Sequence, residues 1–365
     1  MTATLPRPRP GILDISPYVG GESKLTGVGR VIKLSSNEGA LGPSPRAVAA
    51  LMAAAADIHR YPDGSAQRLR HVIAARHGLE AAQIVCGCGS DDLLQLLVRA
   101  YAGPGDEVLY SRHGFLIYPI AAKACGAKPV AAEEIDLTVS VDRLLAAVTP
   151  ATRLVFIANP NNPTGTCLGE AELQRLHAGL PSDVLLVIDA AYAEFVDRND
   201  YEAGAALVAA HANVVMTRTF SKIYGLGGVR LGWAYCPPAV ADVLNRIRSP
   251  FNVSSLALAA GEAAVEDVAF VDLARRHNSY WRGWLADALA QAGFSVVPST
   301  ANFLLVRFPL EPGRDAAAAD AFLRQQGIIV RPVKSYGLPD CLRISIGRED
   351  EVRAVATALT QFTAA

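Results

Sequence analysis

The sequence has no excess of charge of either sign: over 365 residues, 34 Lys and Arg face 35 Asp and Glu, a formal net charge of −1. Nucleic acid and anionic membranes are recognised through basic surfaces, so neither is expected as a partner. A small anionic ligand needs only a few local donors and stays open. No run approaches the roughly 18 uninterrupted apolar residues of a spanning helix. The first residues, Met1 to Gly11, include Pro6, Arg7, Pro8, Arg9 and Pro10 and have no apolar signal-peptide core, so a cytoplasmic location is expected and the Asn252-Val253-Ser254 glycosylation pattern carries no weight. Cysteine is scarce: the six, at 86, 88, 125, 167, 236 and 341, lack metal-ligand spacing, and a disulfide framework is not expected in so long a chain. The seven histidines form no His-Glu-x-x-His or comparable pattern, so no metal is expected. His113 lies near the motifs below, where a structural role is the simpler reading. There are no repeats.

Hydrophobic residues make up 51% of the chain and charged residues 19%, enough apolar surface for a substantial core. Short apolar runs alternate with helical patterns at Ile84–Cys86, Glu107–Tyr110, Leu154–Ala158, Val184–Ile188, Val214–Thr217 and Leu231–Tyr235. Runs of this kind are the mark of strands buried on both faces of a mostly parallel sheet. Ser44-Pro45 predicts a helix start, and a second helix is predicted from about Ser65 to His77, stopping at Gly78. A long helical stretch is predicted from about Ser254 to Ala292, with Tyr280, Trp281 and Trp284 at packing positions. Strands at Ser295–Val297, Phe303–Arg307, Ile328–Val330 and Leu342–Ile346 follow, and the chain closes on a helix over Glu349–Phe362. The expected fold is α/β, a large unit with a mostly parallel sheet flanked by helices plus a smaller α+β unit. The expected division is an arm over 1–42 that joins the small unit, a large unit over 43–252 and a small unit over 253–365.

Ligands of open α/β sheets sit beyond the carboxyl ends of the strands, so the residues after each apolar run are the candidates. Gly87-Cys88-Gly89-Ser90-Asp91 precedes a helix whose free N–H groups suit phosphate; read alone it is more simply a tight turn with an N-cap. Asn159-Pro160-Asn161-Asn162-Pro163-Thr164-Gly165 holds its amides on a fixed backbone, more than a turn requires. Asp189 ends a buried strand, where a carboxylate is costly unless it pairs with a cation or caps a helix. Arg218-Thr219-Phe220-Ser221-Lys222 leads into Gly225-Leu226-Gly227-Gly228-Val229-Arg230. Most lysines are solvated, but a desolvated amine at a strand end can condense with a carbonyl. Arg331 and Arg343 sit at or beside apolar strands, where anion binding explains them better than solvation. In chain order these features amount to a phosphate cradle, a held amide, a buried carboxylate and a carbonyl-reactive lysine, which are the needs of a pyridoxal 5′-phosphate site.

On Asn159–Gly165, Asp189–Tyr192 and Ser221–Arg230, the chain resembles the fold-type-I pyridoxal-phosphate aminotransferases from about Tyr18 onward. Lys33–Glu38, Arg60–Asp63, Gly89–Asp91 and Cys341–Gly347 place it nearest the branch of that family acting on histidinol phosphate. The resemblance implies that Lys222 bonds the cofactor aldehyde, that Asp189 pairs with the pyridine nitrogen, and that Asn162 and Tyr192 meet the ring hydroxyl. It implies a phosphate cradle of Gly89, Ser90, Thr219, Ser221 and Arg230, with Asp91 also among the cofactor-binding residues, Phe115 over the ring and Tyr61 reaching in from the partner of a homodimer. Tyr18, Asn37, Asn162, Arg331 and Arg343 are the implied substrate residues, for histidinol phosphate and for glutamate or 2-oxoglutarate. Two positions depart from the family pattern: Phe115 stands where many members have Tyr, and Gly39-Ala40 where many have Asn-Pro. A broad aromatic amino-acid aminotransferase and a decarboxylase of a phosphorylated amino acid are alternatives with the same machinery. A non-catalytic pyridoxal-phosphate-binding regulator is a further one.

Overall fold

The computed structural model describes residues 6–27 and 29–364; residues 1–5 of the expected N-terminal arm, with the first part of the Met1–Gly11 segment, and residues 28 and 365 lie outside the described residues. The fold is α/β. A seven-stranded sheet runs in the order Ile84–Gly87, Gly232–Tyr235, Val214–Thr219, Leu185–Asp189, Thr152–Ala158, Glu107–Ser111 and Lys128–Ala132. The last five pair in parallel, whereas Gly232–Tyr235 is antiparallel to both of its neighbours. Alternate residues of these strands go to opposite faces. Val155, Ile157, Leu186, Ile188, Val214 and Met216 join one buried cluster, and Leu154, Phe156, Leu185, Val187 and Val215 join another. Burial on both faces is why the strands read as continuous apolar runs, each such side chain contributing roughly 1.5–3 kcal/mol on leaving water.

The edge strand Lys128–Ala132 is not apparent as an apolar run, because it starts with exposed Lys128 and half-buried Pro129 and an edge needs only one buried face. The predicted helix start at Ser44-Pro45 is present: Ser44 Oγ accepts from Arg46 N at 3.1 Å and Pro45 opens the helix Pro45–Ala54. The helix Gln67–His77 ends on Gly78, whose φ of 67° is the left-handed cap geometry glycine adopts freely. The stretch read as one long helix is two, Ser255–Glu266 and Val268–Gln291, divided at Asp267. Asp267 leaves helical geometry at ψ 65° and accepts from Phe270 N while Ser44 Oγ donates to its carboxylate. It therefore caps the second helix and ties it to the start of Pro45–Ala54.

A second sheet, antiparallel, runs Arg331–Pro332, Cys341–Ser345, Phe303–Arg307 and Ser295–Val297. Its core includes Leu285, Leu304, Ile344 and Val355, together with Ile32 and Leu34 from the N-terminal segment. Ile32–Lys33 pairs in parallel with Ile328–Ile329, so the segment before the first large helix is built into this smaller body. The helix Ser255–Glu266 packs instead in the large core through Ala257, Leu258, Ala260 and Val265. No helix among the described residues is long and apolar enough to cross a membrane.

Candidate active site

Strand register brings the candidate residues to one edge of the large sheet. Ala158 lies opposite Asp189, Asp189 opposite Thr217, and Thr219 opposite Gly232, which is in turn opposite Gly87. The segments leaving these strands meet the smaller body across a cavity of about 540 Å³. Ser90, Asp91, Phe115, Asn162, Asp189, Tyr192, Thr219, Ser221, Lys222 and Arg230 line it from the large body, and Tyr18, Asn37, Arg331 and Arg343 line it from the arm and the small body. Tyr61 does not: it is 82% exposed and stacks on Phe251 at 4.6 Å.

Lys222 is half-buried at the cavity wall, its Nζ donating to the Ser36 carbonyl at 3.3 Å. Burial, followed by repulsion from Arg343, lowers its pKa to about 8. An amine so shifted is neutral, and hence nucleophilic, in a useful fraction near physiological pH. Asp189 is buried at its strand end and accepts from Tyr118 Oη at 2.9 Å and Thr217 Oγ1 at 3.3 Å. Desolvation outweighs those bonds and raises its pKa to about 6. A buried carboxylate without a cation among its hydrogen-bond partners is a ready counter-charge for a cationic ligand atom.

A cradle lies beside them. Arg230, held in left-handed geometry at φ 55°, donates through Nη2 to Asp91 Oδ1 at 2.8 Å and through Nη1 to the Gly227 carbonyl at 3.1 Å. Ser221 N donates to Thr219 Oγ1 at 3.1 Å, folding both hydroxyl residues into one turn. Gly89 sits below the Arg230 fork at φ 90°, where a Cβ would lie 2.4 Å from Arg230 Nη2, and a Cβ on Gly232 would lie 2.3 Å from Ser90 N. Both glycines are required by this close approach, which leaves the N-terminus of helix Ser90–Tyr101, two hydroxyls and a guanidinium facing one space. That donor set matches a phosphate group. Together with Lys222 and Asp189 it fits a phosphorylated pyridine aldehyde. Among the described residues no group of three or more His, Cys, Asp or Glu converges as a metal site.

Arg343 occupies the opposite wall, buried, with Nη2 donating to the Ser35 carbonyl at 2.9 Å and Nη1 to Asn162 Oδ1. Its Nε is buried without a protein partner, and the guanidinium as a whole is a cation that suits a carboxylate. Arg331 is directly across the strand pair from Arg343, and its guanidinium donates to the Val19 and Gly20 carbonyls at 2.6 and 2.7 Å. It thereby ties the arm bearing Tyr18 to the cavity wall. Tyr18 meets Phe115 edge-on at 6.2 Å. Asn37 Nδ2 donates to Tyr192 Oη at 3.0 Å, and Asn37 is itself held by Ser345 and Asn302. His113 Nδ1 lies 2.6 Å from the Tyr336 carbonyl and ties the loop before Phe115 to the small body. Tyr118, Thr217, Ser345 and Asn302 escaped the sequence reading. Ser345 stands inside the quoted Cys341–Gly347 motif, which could have flagged it; Tyr118 carried no local signal.

The profile of the aminotransferase class I and II family matches residues 29–359. The chain is 64% identical to a histidinol-phosphate aminotransferase of Paramagnetospirillum magneticum, over 99% of this chain and 100% of that protein. It is 60% identical to one of Rhodospirillum rubrum, over 99% and 98%. Its fold superposes with a TM-score of 0.90 on a Sinorhizobium meliloti histidinol-phosphate aminotransferase solved with pyridoxal-5′-phosphate, at 30% identity over 100% of this chain and 99% of that one. With the profile spanning nearly the whole sequence and these likenesses running end to end, the chain belongs to the class I and II aminotransferases.

Proposed function

We propose that this chain is a pyridoxal 5′-phosphate-dependent transaminase converting L-histidinol phosphate and 2-oxoglutarate to imidazole-acetol phosphate and L-glutamate, a step of histidine biosynthesis. The observation that carries the reading is the desolvated, pKa-lowered amine of Lys222, which shares one cavity with Asp189, the Arg230 cradle and Arg343. The substrate follows from relatives at 64% and 60% identity that bear that name. Gly89, Ser90, Thr219, Ser221 and Arg230 form the phosphate cradle, with Asp91 positioning the Arg230 guanidinium, Phe115 covers the ring, and Asn162 and Tyr192 meet the ring hydroxyl. The bound cofactor supplies an electron sink for the carbanion formed at the substrate's α-carbon. Lys222 Nζ tethers the cofactor and carries the proton to and from that carbon, a general-base role suited to an amine titrating near 8. Arg343, a buried cation at the cavity wall, takes the glutamate carboxylate. Arg331, Asn37 and Tyr18 close on the other end of either substrate, since a guanidinium fork donates to carboxylate and phosphate oxygens alike.

A substrate panel on the purified, cofactor-loaded protein tests the reading: histidinol phosphate with 2-oxoglutarate is the preferred pair, with ping-pong kinetics. A strong preference for phenylalanine would move the assignment to an aromatic amino-acid aminotransferase. Carbon dioxide release without a keto product would move it to a decarboxylase.

The division into an arm over 1–42, a large unit over 43–252 and a small unit over 253–365 is part of this proposal, with Ser255–Glu266 the portion of the last that stays on the large core. So is a reducing, cytoplasmic setting, favoured by six cysteines that are all free. A homodimer completes the site through Tyr61, which is exposed and outside its own cavity, with Met52 and Ile58 also exposed on the same segment. Sedimentation of the loaded protein at twice the chain mass is expected; a fully active monomer contradicts the shared site.

A further inference from the structure

We propose that Tyr118 is a positioning residue that fixes the Asp189 carboxylate against its cofactor partner while leaving its negative charge intact. The inference rests on the proposed pairing of Asp189 with the cofactor's ring nitrogen. Tyr118 lies in the first turn of helix Ile117–Cys125, three residues beyond Phe115, and is fully buried. Its hydroxyl donates to Asp189 Oδ2 at 2.9 Å. Its ring lies on Phe156 at 4.7 Å and 4° from parallel, and Phe115 meets it edge-on at 6.0 Å. Phe156 belongs to the strand beside Asp189's own. The hydroxyl therefore cannot leave the carboxylate without repacking the sheet face.

The remaining partners of Asp189 are of the same chemical kind. Thr217 donates to Oδ1 from the next strand, and the Ala191 N–H adds a backbone donor. An arginine would orient the carboxylate equally well but would neutralise it, and the ring nitrogen would then face an ion pair instead of an anion. Neutral donors hold position and leave the charge available. The short segment Phe115–Tyr118 thus sets two features of the cofactor pocket, the covering ring through Phe115 and the counter-charge through Tyr118. The other ionisable groups around Asp189 are Asp91 from the start of helix Ser90–Tyr101, Tyr192 from the following loop, and Lys222 from beyond the strand Val214–Thr219.

Tyr118→Phe keeps the ring stack and removes only the donor. The readout is the thermal stability of the cofactor-free protein against pH. In the parent, stability falls as Asp189 ionises, with a midpoint near the group's value of about 6. In Tyr118→Phe that midpoint moves up by roughly one pH unit, because a bond to the charged form is lost. In an Asp189→Asn background the same change produces no pH-dependent difference. In the loaded enzyme, kcat falls about tenfold with KM for glutamate unchanged, as expected for an interaction felt in the transition state. An unmoved midpoint, with stability lowered evenly at every pH, assigns Tyr118 to packing alone and overturns the proposal. If Tyr118→Phe fails to fold, recovery of folding in the Asp189→Asn double variant supports it, and failure of both overturns it. Should the parent take up no pyridoxal phosphate, the functional reading fails by itself, and the pH midpoint still decides the Tyr118–Asp189 contact.

Discussion

Lys222→Ala loses the visible absorbance of the lysine-bound cofactor and lowers kcat by at least about 10⁴-fold, the upper range of a single positioned general base. The size of the effect follows from the two roles proposed for one amine, the tether and the proton carrier, with desolvation supplying the shifted basicity both need. A parental visible spectrum in the variant would refute the lysine assignment. The same shift has a consequence for folding. The folded-state pKa of about 8 lies below the ordinary 10.5, so the stabilising contribution of this group is present above pH 10.5 and is lost as pH falls through about 8. At pH 7 the cofactor-free protein therefore buries an ammonium at a cost. Lys222→Met, similar in bulk and uncharged, is expected to raise the cofactor-free Tm at pH 7 and to match the parent above pH 10.5. A charge held at a loss in the empty site is a stability–function trade of the kind expected where a catalytic group must be desolvated.

The chemistry-bearing residues were legible where they follow a buried strand directly. Asn162, Asp189, Thr219 and Lys222 each come within a few residues of an apolar run, and strand register then aligns those run ends along one edge. Local sequence suffices there because the sheet does the assembling. Arg343 was legible for a related reason, as a charge interrupting a strand that is otherwise buried throughout. The residues that escaped are those whose role exists only across the chain. Tyr118 reaches Asp189 over 71 positions and Asn302 reaches Asn37 over 265, and neither stands in a pattern that distinguishes a hydrogen-bonding tyrosine or asparagine from a packed one. The break at Asp267 was hidden because its flanks, Ala263–Glu266 and Val268–Val271, contain neither glycine nor proline to mark a stop. What divides them is a tertiary bond from Ser44. Arg331 was read as a substrate residue, and the structure adds that its fork already holds the carbonyls of Val19 and Gly20. Binding a substrate anion there means exchanging those bonds, which connects occupancy to the placement of the arm.

Asp189→Asn is expected to lower kcat by about 10²–10³-fold, the loss typical of removing one preorganised electrostatic partner from a buried site. The amide is nearly isosteric, so the cavity keeps its shape and the loss reports charge. Stability should move the opposite way. The folded-state pKa of about 6 stands above the ordinary 3.8 of an aspartic acid. The contribution of this carboxyl to stability is thus fully present below pH 3.8 and is lost as pH rises through about 6. Above pH 6 the cofactor-free parent therefore holds a desolvated anion that the amide variant lacks, and Asp189→Asn should melt higher than the parent at pH 7.5 and no higher at pH 4. Adding pyridoxal phosphate gives the parent carboxylate its cationic partner, so the rise in Tm on loading should be larger in the parent than in the variant. These two measurements separate a carboxylate kept for its charge from one kept for its hydrogen bonds. A residue serving only to brace Tyr118 and Thr217 would leave kcat near the parental value and lower Tm at every pH. The crossing of the two stability curves between pH 4 and 7.5, together with the loss of turnover, is the signature of an anion held in place for a cation that arrives with the cofactor.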